Sequence, residues 1–335
     1  MLMILFDDIG SFPLPGGMSR EWAESAIRKG DPALLAAIEG AMKQKLDAGI
    51  DVPTYPQFRD MYAQFLAPIR EKSDEPYLVK LEAARIPELT AVGSLARRLK
   101  KKLRVRVCVT GPLELYLKEF GGTAYTDILM NLAKSIDRFI RASFEHPDID
   151  VAVISIDEPS LGISPQVMFG EDDLIEALSA ASAGAAAHGA DTEIHLHSPL
   201  HYRLACAVQS INVIGVESAA NPSYLSLIDR KELEASDTFL RIGIARTDIS
   251  QLATVLNEKY GTNVWKEPLK MAEILGMETP EIIARRLANA ASIFGERIKY
   301  TGPDCGLGSW PSQELAFGLL RNTRAGIDRF IAAQG

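Results

Sequence analysis

Ile298-Lys299-Tyr300-Thr301-Gly302-Pro303-Asp304-Cys305-Gly306-Leu307 is a strand, a loop and the approach to a helix in ten residues. The apolar run Ile298 to Tyr300 reads as a short strand, and a glycine turn and a helical segment follow Cys305. A thiol placed where a buried strand releases into a loop is held rigidly and can still reach a ligand. Outward from here the same unit recurs. Candidate strands are Met3 to Phe6, Ile50 to Thr54, Arg104 to Val109, Val151 to Ile156, Thr192 to His197, Val213 to Glu217, Leu240 to Ile244 and Ile298 to Tyr300. Between most of them lie segments with apolar residues three and four apart, such as Pro32 to Ala48, Ala124 to Phe144, Asp172 to His188 and Thr279 to Phe294, which is helical spacing. Eight such units predict an α/β fold, a (β/α)8 TIM barrel forming one domain over residues 1–335, with a doubly wound open sheet as the alternative.

Composition narrows the function classes. A chain of 335 residues, 47% hydrophobic, can bury a large core. A formal charge of -8 argues against nucleic acid, whose phosphates require a basic face. Apolar runs stop well short of the roughly 20 residues of a membrane span, and Met1 to Phe6 lacks the features of a signal peptide. Three scattered cysteines, Cys108, Cys206 and Cys305, suit a reducing compartment, so the expected location is cytoplasmic.

In a barrel of this type reactive groups come from the carboxyl ends of the strands. This sequence puts Ile9-Gly10-Ser11 after the first strand, Tyr55, Gln57, Arg59 and Asp60 after the second, and Asp157-Glu158-Pro159 after the fourth. His195, His197 and His201 follow at the fifth, Glu217 at the sixth, Asp248 after the seventh and Cys305 after the eighth. Imidazole, carboxylate and thiolate together make a set of zinc ligands. No phosphate-binding glycine loop or dinucleotide fingerprint accompanies them, which makes hydride transfer a weak reading.

The order Ile-Gly-Ser-Phe-Pro (9–13), Thr-Gly-Pro (110–112), Ile-Asp-Glu-Pro (156–159), His-x-His (195–197), Val-Glu-Ser (216–218) and Pro-Asp-Cys-Gly-Leu (303–307) resembles the catalytic barrel of cobalamin-independent methionine synthase. It is most similar to the short archaeal-type members that lack the N-terminal duplicated barrel, over nearly the whole chain from Ile9 to Arg321. The resemblance implies a zinc methyltransferase of the wider group that includes the corrinoid-dependent and uroporphyrinogen-decarboxylase-like enzymes. Carried over residue by residue, it implies zinc ligands at His197, Glu217 and Cys305, homocysteine contacts at Ser11 and the Ile9 backbone, and a carboxylate for the substrate amino group at Asp157, with Glu158 beside it. The expected acceptor is a small-molecule thiol, homocysteine first. The expected donor is a methylcorrinoid, methylcobalamin or a corrinoid protein partner, because the barrel of the long folate-dependent members is missing.

The chain also departs from that pattern. Where the family has His-x-Cys on the fifth strand, this chain has His197-Ser198-Pro199, so one zinc cysteine is absent. A register shift of two gives His195-Leu196-His197, and residues two apart in a strand share a face. Either zinc is held by His195, His197, Glu217 and Cys305, or by three of them with a fourth position open, or the metal has been lost. The family's second-strand glutamate corresponds to Tyr55, followed by Gln57 and Arg59, and its proton-shuttling histidine corresponds to Asp248, the expected catalytic residue. An extra segment at about 250–277 could cap the barrel mouth or mediate assembly, for instance as a homodimer. These departures keep other readings open: another thiol acceptor such as coenzyme M, a methyl-folate donor, or a non-catalytic barrel acting as an accessory subunit.

Overall fold

The computed structural model describes residues 4–334; Met1 to Met3, which include the start of the first expected strand, and Gly335 lie outside them. Nine strands are present among these residues: β1 Leu5–Phe6, β2 Ser73–Glu75, β3 Leu78–Val79, β4 Leu103–Thr110, β5 Ile149–Asp157, β6 Asp191–Leu196, β7 Val213–Val216, β8 Phe239–Ala245 and β9 Ile298–Pro303. Seven form a parallel sheet in the order β1-β9-β8-β7-β6-β5-β4, and β2 and β3 make a small antiparallel hairpin to one side. Helices alternate with the sheet strands. Each of the four helical segments expected from spacing is present, as Pro32–Asp47, Thr126–Ser143, Glu171–Ala187 and Pro280–Phe294. Their starts follow capping rules: Asp31 and Thr279 accept backbone N–H groups ahead of Pro32 and Pro280, which occupy the first helical position.

The eighth strand is a correction to the expected barrel. Residues 50–54 do not form a strand; the sheet is curled, and its two edges meet this segment only through isolated bridges, Asp7 with Val52 and Thr54 with Arg106. Pro53 and Pro56 explain why, since each removes a ladder donor. A side chain takes over where the ladder fails. Buried Asp8 accepts the Thr54 N–H at 2.8 Å and pairs with Lys45 Nζ at 2.7 Å, and Lys45 also donates to the Thr54 carbonyl at 2.9 Å.

Alternation along the strands builds the interior in layers, because residues i and i+2 share a face. Val153, Ser155 and Asp157 ascend β5; Glu193 and His195 ascend β6, with His197 just beyond it; Val213 and Gly215 ascend β7, with Glu217 beyond it. The lowest layer is apolar, Val52, Val153, Val213 and Tyr300 packed together. Above it sits a fully buried ion network of Asp7, Arg106, Glu193 and Arg241. Such a network roughly breaks even in stability, since desolvation offsets the Coulombic gain, but its geometry is rigid. The stretch 250–277 is helical, Ile249–Tyr260 followed by the short turns Val264–Lys266, Pro268–Met271 and Ile274–Met277. It leaves Leu269 almost fully and Trp265 about half in solvent. No described helix is long and apolar enough to cross a membrane.

Candidate metal centre

Parallel register aligns the strand ends. Asp157 lies beside His195, Leu196 beside Val216, and Ala245 beside Pro303, so the residues just past these positions converge over the ion network. His195, His197, Glu217 and Cys305 come together there, with one ligand atom of each within 4.8 Å of all the others. Cys305 Sγ is 3.7 Å from Nε2 of both His195 and His197, and Glu217 Oε1 is 3.5 and 3.4 Å from the same two nitrogens. A tetrahedral ion with bonds of about 2.0–2.1 Å to N or O and about 2.3 Å to S requires ligand–ligand edges of about 3.4–3.6 Å. The four edges that join Cys305 and Glu217 to the two histidines are close to these values, and the four side chains could hold a metal ion.

The electrostatics agree with that fit. Burial holds the His195 imidazole down at about 4 and also lowers that of His197, with His195 the second cause; both are neutral near pH 7, as ligands must be. Burial raises the Glu217 carboxyl and, with the Glu217 charge beside it, pushes the Cys305 thiol well up. Without a cation this corner is a poor place for negative charge. Glu217 Oε1 is buried and hydrogen-bonds to no described residue, an orphan that a metal would satisfy. His201, also on the loop after β6, is not among the clustered ligand atoms.

The loops are tied together behind the ligands. Asp304 accepts the N–H groups of Ala219 and Ala220, just past Glu217, and the Cys305 N–H donates to Thr247 Oγ1 at 3.2 Å. Gly243 is required here, because a methyl group at that position would collide with the Asp304 carboxylate.

A cleft of about 350 Å³ opens beside the cluster. Of the residues expected to contact substrate, Ile9, Ser11, Gln57, Arg59 and Asp157 line it, together with His195, His197 and Cys305. Tyr55 and Glu158 do not. Tyr55 is fully buried, donating to the Cys108 carbonyl at 2.8 Å and accepting from Gln57 Nε2 at 3.1 Å, so it reaches the cleft only by holding Gln57. Glu158 points the other way and accepts the N–H groups of Leu113 and Glu114 at the start of the helix Pro112–Phe120. Arg59 is bound at two points to Glu88. Asp248 forms an ion pair with Arg246, 2.6 Å, and is not among the cleft-lining residues. Arg20 and Tyr62 line the cleft without having been singled out from sequence; they precede or follow the strand-end motifs by several residues and carry no spacing signal. Arg106 did leave a signal, as a charge flanked by valines inside the run Arg104 to Val109, whose other charge, Arg104, is exposed at its start.

The fold is similar to that of a methionine synthase. The solved structure is a B12-independent methionine synthase from a Shewanella species in complex with selenomethionine, which aligns over 99% of this chain and 99% of its own with a TM-score of 0.63 and 14% identity. At that identity the likeness is one of fold. A structure described as a Xaa-Pro dipeptidase with methionine bound in its active site aligns over 99% of this chain and 72% of its own, with a TM-score of 0.45 and 12% identity. No protein-family model and no curated protein matches the sequence.

Proposed function

We propose that this protein is a zinc-dependent S-methyltransferase of the methionine-synthase type, built on a (β/α)8-like barrel, that transfers a methyl group to a thiol. Homocysteine is the first candidate acceptor and a methylcorrinoid the first candidate donor. The observation that carries the reading is the cluster of His195, His197, Glu217 and Cys305 at the carboxyl ends of parallel strands, three of which, His195, His197 and Cys305, line a cleft. The fold likeness to a methionine synthase supports it.

Zinc bound here would supply the charge that lowers the pKa of an incoming thiol, which is otherwise mostly protonated near pH 7. The protein's own residues do the rest. His195 and His197 offer neutral nitrogens, and Cys305 offers the one cysteine sulfur in the set. Glu217 is the ligand best suited to yield its place to a substrate sulfur, since carboxylates exchange more readily than thiolates. Asp157, in the cleft beside His195, is assigned the substrate ammonium, and Ser11 with the Ile9 backbone the carboxylate. Held this way, the sulfur needs only a donor methyl about 3–3.5 Å away and in line.

Elemental analysis of purified protein tests the metal, with about one zinc per chain expected. Incubation with methylcobalamin and homocysteine, followed by detection of methionine, tests the transfer. A chain that takes up no zinc under reducing, metal-replete conditions would sink the mechanism.

A further inference from the structure

Asp157 is held from behind by a chain of buried groups. Its Oδ1 accepts a hydrogen bond from Ser155 Oγ at 2.7 Å, and Ser155 Oγ in turn accepts one from Arg106 Nη2 at 2.7 Å. Arginine has no acceptor, so Arg106 must donate into the hydroxyl oxygen, and the single hydroxyl hydrogen is left to point at Asp157. Arg106 cannot swing away to release it. Its guanidinium is fully buried and fixed to Asp7 Oδ2 at 2.6 Å and to both Glu193 oxygens at 2.8 Å, and Asp7 is shared with Arg241 at 2.9 Å. One carboxylate oxygen of Asp157 is thereby pinned. The other, Oδ2, hydrogen-bonds to no described residue and is not among the buried unpartnered atoms, which leaves it to the cleft.

We propose that Ser155, anchored by Arg106, is the positioning residue that aims Asp157 Oδ2 into the cleft and so sets the preference for thiols that carry an amino group. This rests on the reading of Asp157 as the site of the substrate ammonium. Positioning matters because a charge-assisted hydrogen bond weakens steeply when its acceptor is free to rotate. Ser155 and Asp157 lie two apart on one strand face, so no other element intervenes.

The test is calorimetric titration of the zinc-loaded protein with homocysteine and with γ-mercaptobutyrate, which keeps the thiol and carboxylate but lacks the amino group. In the unaltered protein homocysteine should bind more tightly; equal binding of the two thiols would overturn the ammonium reading of Asp157 and the proposal with it. In Ser155→Ala, homocysteine should weaken by about tenfold, the scale of a hydrogen bond to a charged group, while γ-mercaptobutyrate stays unchanged. Ser155→Thr, which keeps the hydroxyl, should restore homocysteine binding. If Ser155→Ala weakens both thiols alike, or neither, Ser155 is only a core residue and the proposal fails even though the reading of Asp157 stands.

Discussion

The carboxylate of Asp304 clamps the backbone of Ala219: it accepts that N–H at 2.9 Å and the N–H of Ala220 at 2.8 Å. This joins the loop bearing Cys305 to the loop bearing Glu217, so the separation of two candidate ligands is fixed by groups outside the cluster. Removing such a partner typically lowers metal affinity by about 10–100-fold. Asp304→Ala should do so here, measured by competition with a chromophoric chelator. Gly243→Ala should act in the same direction, since its methyl group would displace the same carboxylate. Unaltered zinc affinity in both variants would show that the ligands hold their spacing without the clamp.

The pair Lys45–Asp8 holds the irregular segment that stands in for a strand. Both side chains are almost fully buried, and Lys45 donates to the Thr54 carbonyl as well as pairing with Asp8. Lys45→Met strands a buried carboxylate, at a cost of roughly 3–5 kcal/mol. Asp8→Asn in the same chain should recover much of that loss. Urea unfolding of both variants at pH 7 gives the comparison, and a single variant within about 1 kcal/mol of the parent would refute the role given to the pair.

That pair also marks where the sequence stops being legible. The run that became β5 is a near-continuous apolar stretch, as a parallel strand buried on both faces tends to be, whereas β4 and β6 carry Arg106 and Glu193 into the buried network; the ends of all three were readable to within two residues. Ile50 to Thr54 has the same apolar look, but its behaviour depends on Pro53, Pro56 and a side chain 46 residues earlier, Asp8. No local pattern announces that contact. The clustering of His195, His197, Glu217 and Cys305 was legible because each lies at or just past a strand end, and parallel register brings strand ends together. The roles of neighbours were less so. Alternation sets Glu158 opposite Asp157, yet only the fold shows that it meets the N–H groups of Leu113 and Glu114. Tyr55 sits among cleft residues in sequence and behind them in space.

Gly302, on β9, faces the backbone of Asp7 just past the end of β1. A methyl group there would collide with the Asp7 carbonyl and press on Arg241 Nη2, both in the buried network. Backbone cannot yield as a flexible side chain can, so Gly302→Ala should destabilise the fold by at least about 2 kcal/mol. Thermal unfolding checks this; an unchanged midpoint would mean that the two strands separate easily.

Acid should destabilise the metal-free protein through His195. Burial holds the folded imidazole down at about 4, whereas in an unfolded chain it titrates near 6.5. Between those values the unfolded chain binds a proton that the folded chain does not, so the contribution of His195 to stability is fully present above about pH 6.5 and falls as the pH drops towards 4. The difference amounts to about 3 kcal/mol. His195→Gln should remove that contribution, so the parent should lose urea-midpoint stability relative to the variant as the pH falls, while the raised carboxyls of Asp304, Glu193 and Glu217, which act in the opposite sense, are common to both chains. A difference between parent and variant that stays constant from pH 7 to pH 4.5 would contradict the burial argument.

Cys305 is the one sulfur in the cluster, and its replacement separates the metal from the fold. Its thiol contacts His195 and His197 only at 3.7 Å, and the backbone that carries it is held independently through Thr247 Oγ1. Cys305→Ser should therefore leave the unfolding midpoint of the metal-free protein within a few degrees of the parent. Metal binding should respond differently, because a serine hydroxyl does not ionise near neutral pH and cannot replace a thiolate as a soft ligand. Zinc retained after dialysis against a chelator should drop from about one per chain to a small fraction. If His195, His197 and Glu217 keep the metal without the sulfur, occupancy will be unchanged and Cys305 is not a ligand.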